Sequence, residues 1–253
     1  MHPARIAELL QPFLSPAPNP CHSESGQRPG EEPAVPAALS EMQLQSISTL
    51  IDLLLRWNSR INLTAIRHEE GIVTRHFGES LFAARLLFPK TYPVTSVSSV
   101  LKDFDSSKNQ RRPPNDRVAD LGSGAGFPGV PIKLWAPNIS VTLIESNQKK
   151  AAFLHELART LTLTDINIQN VRAETLPPST FDVVILRAVE RLPKVLPVAA
   201  KLLSPAGRLA LLISTSQLES TRSTLPNVSW NVPIAIPNSQ SRILLIGIPE
   251  PRM

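Results

Sequence analysis

Residues 117–129 constrain the fold of this chain more than any other stretch: Arg117-Val118-Ala119-Asp120-Leu121-Gly122-Ser123-Gly124-Ala125-Gly126-Phe127-Pro128-Gly129. A strand-length apolar run ends at Asp120-Leu121 and opens at once into Gly122, Gly124, Gly126 and Gly129, with Pro128 where a helix would begin. Glycine lets the backbone turn sharply and lets a ligand approach it closely, and proline is tolerated in a first helical turn. A strand, glycine loop and helix in this order belong to an open α/β sheet, whose ligands bind beyond the carboxyl ends of the strands. Asp120, Gly122, Ser123, Gly124, Ala125, Gly126 and Phe127 are therefore candidate ligand-binding residues.

The rest of the chain agrees with that frame. Candidate strands at 117–121, 140–145, 166–170, 181–186, 207–213, 228–236 and 241–248 alternate with candidate helices at 129–136, 147–161, 191–203 and 215–224. Short apolar strands separated by helices predict a doubly wound, mostly parallel sheet, here of seven strands. Only Pro237-Asn238-Ser239-Gln240 separates the last two strands, which predicts a terminal antiparallel hairpin at the sheet edge. The strand order is not readable from spacing. Upstream, Ser40 and Gln43 have capping-box spacing ahead of a helical stripe through Leu44, Ile47, Ile51, Leu54 and Ile61, and a second helix is expected over 69–88. The expected organisation is a short helix plus flexible linker (1–39), a helical extension (40–88), a flexible insertion (89–116) and the α/β domain (117–253).

The second strand ends in Glu145, nineteen residues after Gly126, where a carboxylate can accept both hydroxyls of a ribose. The fourth brings Arg187 to the same rim. A phosphate-binding loop is excluded because the Gly-Lys-Ser/Thr ending is missing. Gly124-x-Gly126-x-x-Gly129 formally matches a dinucleotide fingerprint, but too little chain remains for a hydride-acceptor domain. A nucleoside cofactor fits the strand, the glycines and the distal acid together. Ser123 lacks the nucleophile-elbow frame of a serine hydrolase, and no His/Cys cluster has metal-ligand spacing, so no metal is expected.

A net charge of +5 favours a polyanionic partner, since Lys and Arg contacts to phosphate dominate nucleic-acid affinity. Aromatic residues at 5% are too few for a base-stacking platform, so RNA would be read by shape and phosphate. The single cysteine, Cys21, fits a reducing compartment, and neither a secretory signal nor a long apolar span is evident, so a cytoplasmic protein without membrane association is expected.

Several blocks together resemble the RsmG (GidB) family, bacterial methyltransferases acting on guanine N7 in small-subunit ribosomal RNA. They are Trp57 to Thr64, Arg75 to Leu81, Asp120 to Pro131 with its Phe127-Pro128-Gly129, Lys149 to Leu154, Arg172-Ala173-Glu174 and Arg187-Ala188. The match covers roughly residues 40 to 214. Glu79 and Glu145 stand where the family usually has Asp, and Ser214-Thr215-Ser216 replaces a usual Lys-Gly pair.

The resemblance implies a class I (Rossmann-like) methyltransferase using S-adenosyl-L-methionine. Gly122, Gly124 and Gly126 would line its methionine, Glu145 would hold its ribose, and Ala173 and Glu174 would border its adenine. Arg187 would stand at the reaction mouth, binding the cofactor carboxylate or RNA, with a salt bridge as the plainer reading. Asn62, Arg75, His76, Lys149, Lys150 and Arg172 are candidate RNA contacts. Beside that role stand a buried histidine for His76, helix capping for Asn58, Asn62 and Thr64, an Arg75–Glu79 pair along the helix, and solvated faces for the lysines and Arg172. The implied partner is small-subunit ribosomal RNA or the assembling subunit, bound by a monomer. The alternatives are an NAD-dependent oxidoreductase and an inactive RNA-binding protein.

Overall fold

The computed structural model describes residues 1–15, 38–90, 116–189 and 191–250. Most of the expected linker and insertion, including Cys21, lies outside them.

The central strands are buried on both faces, and because successive side chains of a strand point to opposite faces the core divides into two layers. β1 (Arg117–Leu121), β2 (Ser140–Ile144), β3 (Ile166–Gln169), β4 (Phe181–Arg187) and β5 (Leu203–Ser214) pair in parallel. β6 (Val228–Trp230) and β7 (Ile234–Ala235) each pair antiparallel with β8 (Arg242–Pro249). The sheet order is β3-β2-β1-β4-β5-β8-β6, with β7 also on β8. On one face, Val118, Val183, Ile185, Leu212 and Leu244 pack with the N-terminal helices and with α5 (Gly129–Trp135) and α6 (Gln148–Thr160). On the other, Leu121, Leu186, Leu211 and Leu245 pack with α7 (Leu192–Leu202), and α8 (Leu218–Thr224) flanks it.

Two sequence expectations need correction. The sheet has eight strands, not seven, because the candidate strand 228–236 is two. Pro233 has no amide to give a ladder, and Asn231 leaves the strand to bond Ile246, its Oδ1 accepting from the Ile246 amide at 2.8 Å. The terminal hairpin is antiparallel as expected, but β8 lies inside the sheet, between β5 and β6.

The N-terminal helices form a further layer on the first face. Ser40 and Gln43 make the expected reciprocal cap at the start of α2 (Glu41–Asn58). α3 (Glu69–Gly71), a π-helical stretch (Ile72–Gly78) and α4 (Glu79–Leu87) follow without a break. This segment is buried on nearly all sides, since α1 (Pro3–Leu14) covers its outer surface. Phe13 of α1 lies against Gly78, where a Cβ would come within 2.6 Å of the ring. The segment thus reaches the carboxyl rim of the sheet, Arg75, His76 and Glu79 leading.

Candidate active site

The glycine loop is held from below. Asp120, fully buried, accepts from the Gly129 amide at 2.9 Å and so satisfies the first free N–H of α5. Ser123 Oγ donates to the Asp120 carbonyl, and the amides of Gly122 and Ser123 donate to the Ile144 carbonyl. Gly129 has no spare room, since a Cβ would fall 2.4 Å from Leu143 and 2.8 Å from the Asp120 carboxylate. Gly124 is the opposite case. It has a φ of +55°, and a Cβ there meets nothing nearer than 3.8 Å. Open space above a left-handed glycine is what close approach of a ligand requires.

Burial dominates the chemistry of Asp120. Its Oδ1 has no hydrogen-bond partner among the described residues, and loss of hydration pushes its carboxyl up to about 7. The Gly129 amide, Ser123 and the Arg187 charge pull the other way. Asp120 therefore supports the loop from beneath and does not face the open side.

Glu145 closes the loop from the side. Its Oε2 accepts from the Gly124 amide at 3.0 Å and its Oε1 from the Asn147 amide at 2.7 Å. Asn147 then caps α6 through the amides of Lys149 and Lys150, which puts both lysines on the same rim, Lys149 exposed and Lys150 half-buried. Ala173 and Glu174 sit in a 3-10 turn after β3, Ala173 half-buried, Glu174 and the preceding Arg172 exposed. Asn62 is exposed in the loop after α2.

Phe127 ties the loop to the helical layer. Its ring stacks on His76 with centroids 4.8 Å apart and meets Phe77 edge-on at 5.0 Å. His76 Nε2 pairs with Thr64 Oγ1 at 2.7 Å, and Asn58 fixes the loop carrying Thr64 by bonding the Leu63 and Thr64 amides and the Thr64 carbonyl. Asn58 thus braces the loop after α2 rather than capping the helix end. Burial, then the charges of Arg187 and Arg75, lower His76 to about 3, so it is a neutral, packed histidine.

The Arg187 side chain is buried, and its Nε donates to Glu79 Oε2 at 3.1 Å while an Nη donates to the Arg75 carbonyl at 2.8 Å. Arg242 donates to the same Glu79 oxygen at 3.2 Å and to the Leu212 carbonyl. Arg75 Nε lies 3.4 Å from Glu79 Oε1, an ion pair without hydrogen-bond geometry. The Arg75–Glu79 helix pair exists, but as one arm of a larger cluster. Arg242 was missed in the sequence, although a signal was there. It opens the last strand two residues before Leu244, on the parity that faces the helical layer, as Arg187 does two residues after Ile185.

The sequence profile of the GidB family, described as rRNA small subunit methyltransferase G, matches residues 95–230, more than half of the chain. The chain belongs to the GidB family. Ribosomal RNA small subunit methyltransferase G of Chloroflexus aggregans is 33% identical over 224 residues, covering 82% of each chain. The protein of that name from Halorhodospira halophila is 35% identical over 183 residues, covering 72% of this chain and 75% of its own. Among solved structures, a ribosomal protein L11 methylase from Lactobacillus delbrueckii subsp. bulgaricus superposes with a TM-score of 0.52 at 16% identity, over 70% of this chain and 79% of the other. At that identity the likeness speaks for the fold alone. Membership of the GidB family removes the oxidoreductase alternative.

Proposed function

We propose that this protein transfers a methyl group from S-adenosyl-L-methionine to N7 of a guanine in 16S ribosomal RNA. The observation that carries this reading is the open, left-handed glycine loop with Glu145 at its side, in a chain of the GidB family. The residues present fit the cofactor: Gly124 leaves free space over the main chain, and the Glu145 carboxylate lies next to it. Gly122, Ser123, Gly124, Ala125 and Gly126 would hold the methionine and Glu145 the ribose, with Ala173 and Glu174 beside the adenine. When bound, the cofactor supplies a methyl group on a positively charged sulfur.

Guanine N7 carries a free lone pair and no proton, so no residue of this chain has to act as a base. The neutral, buried His76 is consistent with that, since its ring supports Phe127 and is tied to Thr64. What the chain contributes is placement and a fixed electrostatic environment. Asp120 and Phe127 brace the loop, and the arginines at the ends of β4 and β8 make the rim electropositive. Asn62, Arg75, Lys149, Lys150 and Arg172 are the proposed RNA contacts. Among the described residues no helix is long and apolar enough to cross a membrane.

The test is transfer of labelled methyl to ribosomal RNA from cells lacking this protein, with the product mapped by nuclease digestion. One labelled 7-methylguanosine in the small-subunit RNA is the expected result. Cofactor binding without any transfer would refute the assignment in favour of an inactive RNA binder.

A further inference from the structure

Glu79 is 2% exposed, yet it has three guanidinium groups around it, from three distant parts of the chain. Arg75 comes from the helical layer, Arg187 from the end of β4 and Arg242 from the start of β8. Three cations against one anion leave two positive charges in one place. Exposure grades outward, with the Arg187 side chain at 8%, Arg242 at 18% and Arg75 at 59%. Arg242 Nε is buried without a hydrogen-bond partner among the described residues. Among the described residues no second carboxylate forms a salt bridge with these three arginines, and the group opens to solvent through Arg75.

A buried carboxylate is the means of keeping such a group together. Unscreened guanidinium groups at this range repel one another, and a shared anion fixes both their separation and their orientation. Arg187 and Arg242 meet on a single oxygen, Oε2, at 3.1 and 3.2 Å, while carbonyls of Arg75 and Leu212 take one further donor from each.

We propose that Glu79 is a positioning residue, whose carboxylate sets Arg75, Arg187 and Arg242 as a clamp for one phosphodiester of the RNA substrate. This rests on the RNA methyltransferase reading and deepens it. A phosphate fits because its oxygens accept from several guanidinium donors at once and bring the missing negative charge.

Glu79→Gln separates positioning from plain charge. Removing an acid from an RNA-binding rim raises its positive charge, and long-range attraction alone would then tighten RNA binding. A positioning role requires the reverse. The expected result is a fall in kcat/KM for small-subunit RNA of about tenfold or more, the worth of one charge-assisted hydrogen bond. Calorimetric affinity for S-adenosyl-L-methionine should stay within about twofold of wild type, and Glu79→Asp should recover most of the loss.

If Glu79→Gln does not fold, Arg242→Lys replaces it. That variant keeps the charge but replaces the planar guanidinium, one Nη of which donates to both Glu79 and Leu212, with a shorter, rotating ammonium, and the same pattern is expected. Unchanged or tighter RNA binding in the variant that is measured, with kcat/KM preserved, overturns the proposal. So does a tenfold loss of cofactor affinity, which would assign the clamp to the cofactor carboxylate. Failure of the wild-type protein to methylate RNA would instead strike the underlying reading.

Discussion

Asp120→Asn should change how the stability of this protein depends on pH, and by a calculable amount. The Asp120 carboxyl is fully buried and lies at about 7 in the folded chain, against an ordinary value of 3.8. Between those values the folded state holds a proton that the unfolded state has released. Stability from this group is therefore greatest at low pH and is lost as pH rises toward 7. The difference of about 3 pH units, at 1.36 kcal/mol each, amounts to about 4 kcal/mol, of which roughly 3 kcal/mol falls between pH 5 and 8. Asparagine keeps an oxygen for the Gly129 amide and never ionises. Its amide nitrogen would take the place of the partnerless Oδ1, a cost that does not vary with pH. His76 runs against Asp120: lowered from 6.5 to about 3, it stays neutral while the unfolded chain protonates, so its contribution is lost as pH falls below 6.5. In the wild type the two slopes oppose each other. The variant removes one and exposes the other. Urea unfolding of both proteins at pH 5, 6, 7 and 8 measures the difference, which should move by roughly 3 kcal/mol in favour of asparagine as pH rises. A difference constant to within about 0.5 kcal/mol would refute the claim that burial holds Asp120 protonated.

Other substitutions probe the same structure at separate points. Gly129→Ala drives a Cβ into Leu143 and Asp120, and should destabilise by about 1–3 kcal/mol in urea unfolding. Gly124→Val brings its Cβ no nearer than 3.8 Å to another atom but must adopt a left-handed backbone, so it should cost about 1–2 kcal/mol of stability and abolish cofactor binding by calorimetry. Wild-type affinity in that variant would remove the loop from the site. Thr64→Val leaves His76 Nε2 buried without its partner, for a loss of about 1–3 kcal/mol. Because His76 stacks on Phe127, cofactor affinity should fall as well, and an unchanged affinity would show that the helical layer does not brace the loop.

Local features of the chain were legible before the structure. Strand alternation, the glycines, the carboxylate at the end of β2 and the Ser40 cap all depend on residues within one turn or one strand of each other. They follow from stereochemistry and periodicity, which sequence carries directly. The short hairpin was equally local, because four residues cannot hold a crossover helix. The apolar run 228–236 has the pattern of one strand, but Pro233 within it cannot donate to a ladder and the run divides there.

What tertiary structure alone decided is which distant groups share a site. Glu79 lies 108 residues from Arg187 and 163 from Arg242 in the chain, and nothing in their spacing joins them. The meeting depends on the sheet order β4-β5-β8, which places the start of β8 beside the end of β5, with Arg242 opposite Ser214. It depends equally on a helical layer buried so deeply that the Glu79 carboxylate reaches the rim from above. Periodicity fixes the face on which a side chain stands, but not its neighbour across the sheet. That neighbour is selected by the packing of the whole domain, where burial makes an unpaired charge costly enough to demand a partner from anywhere in the chain.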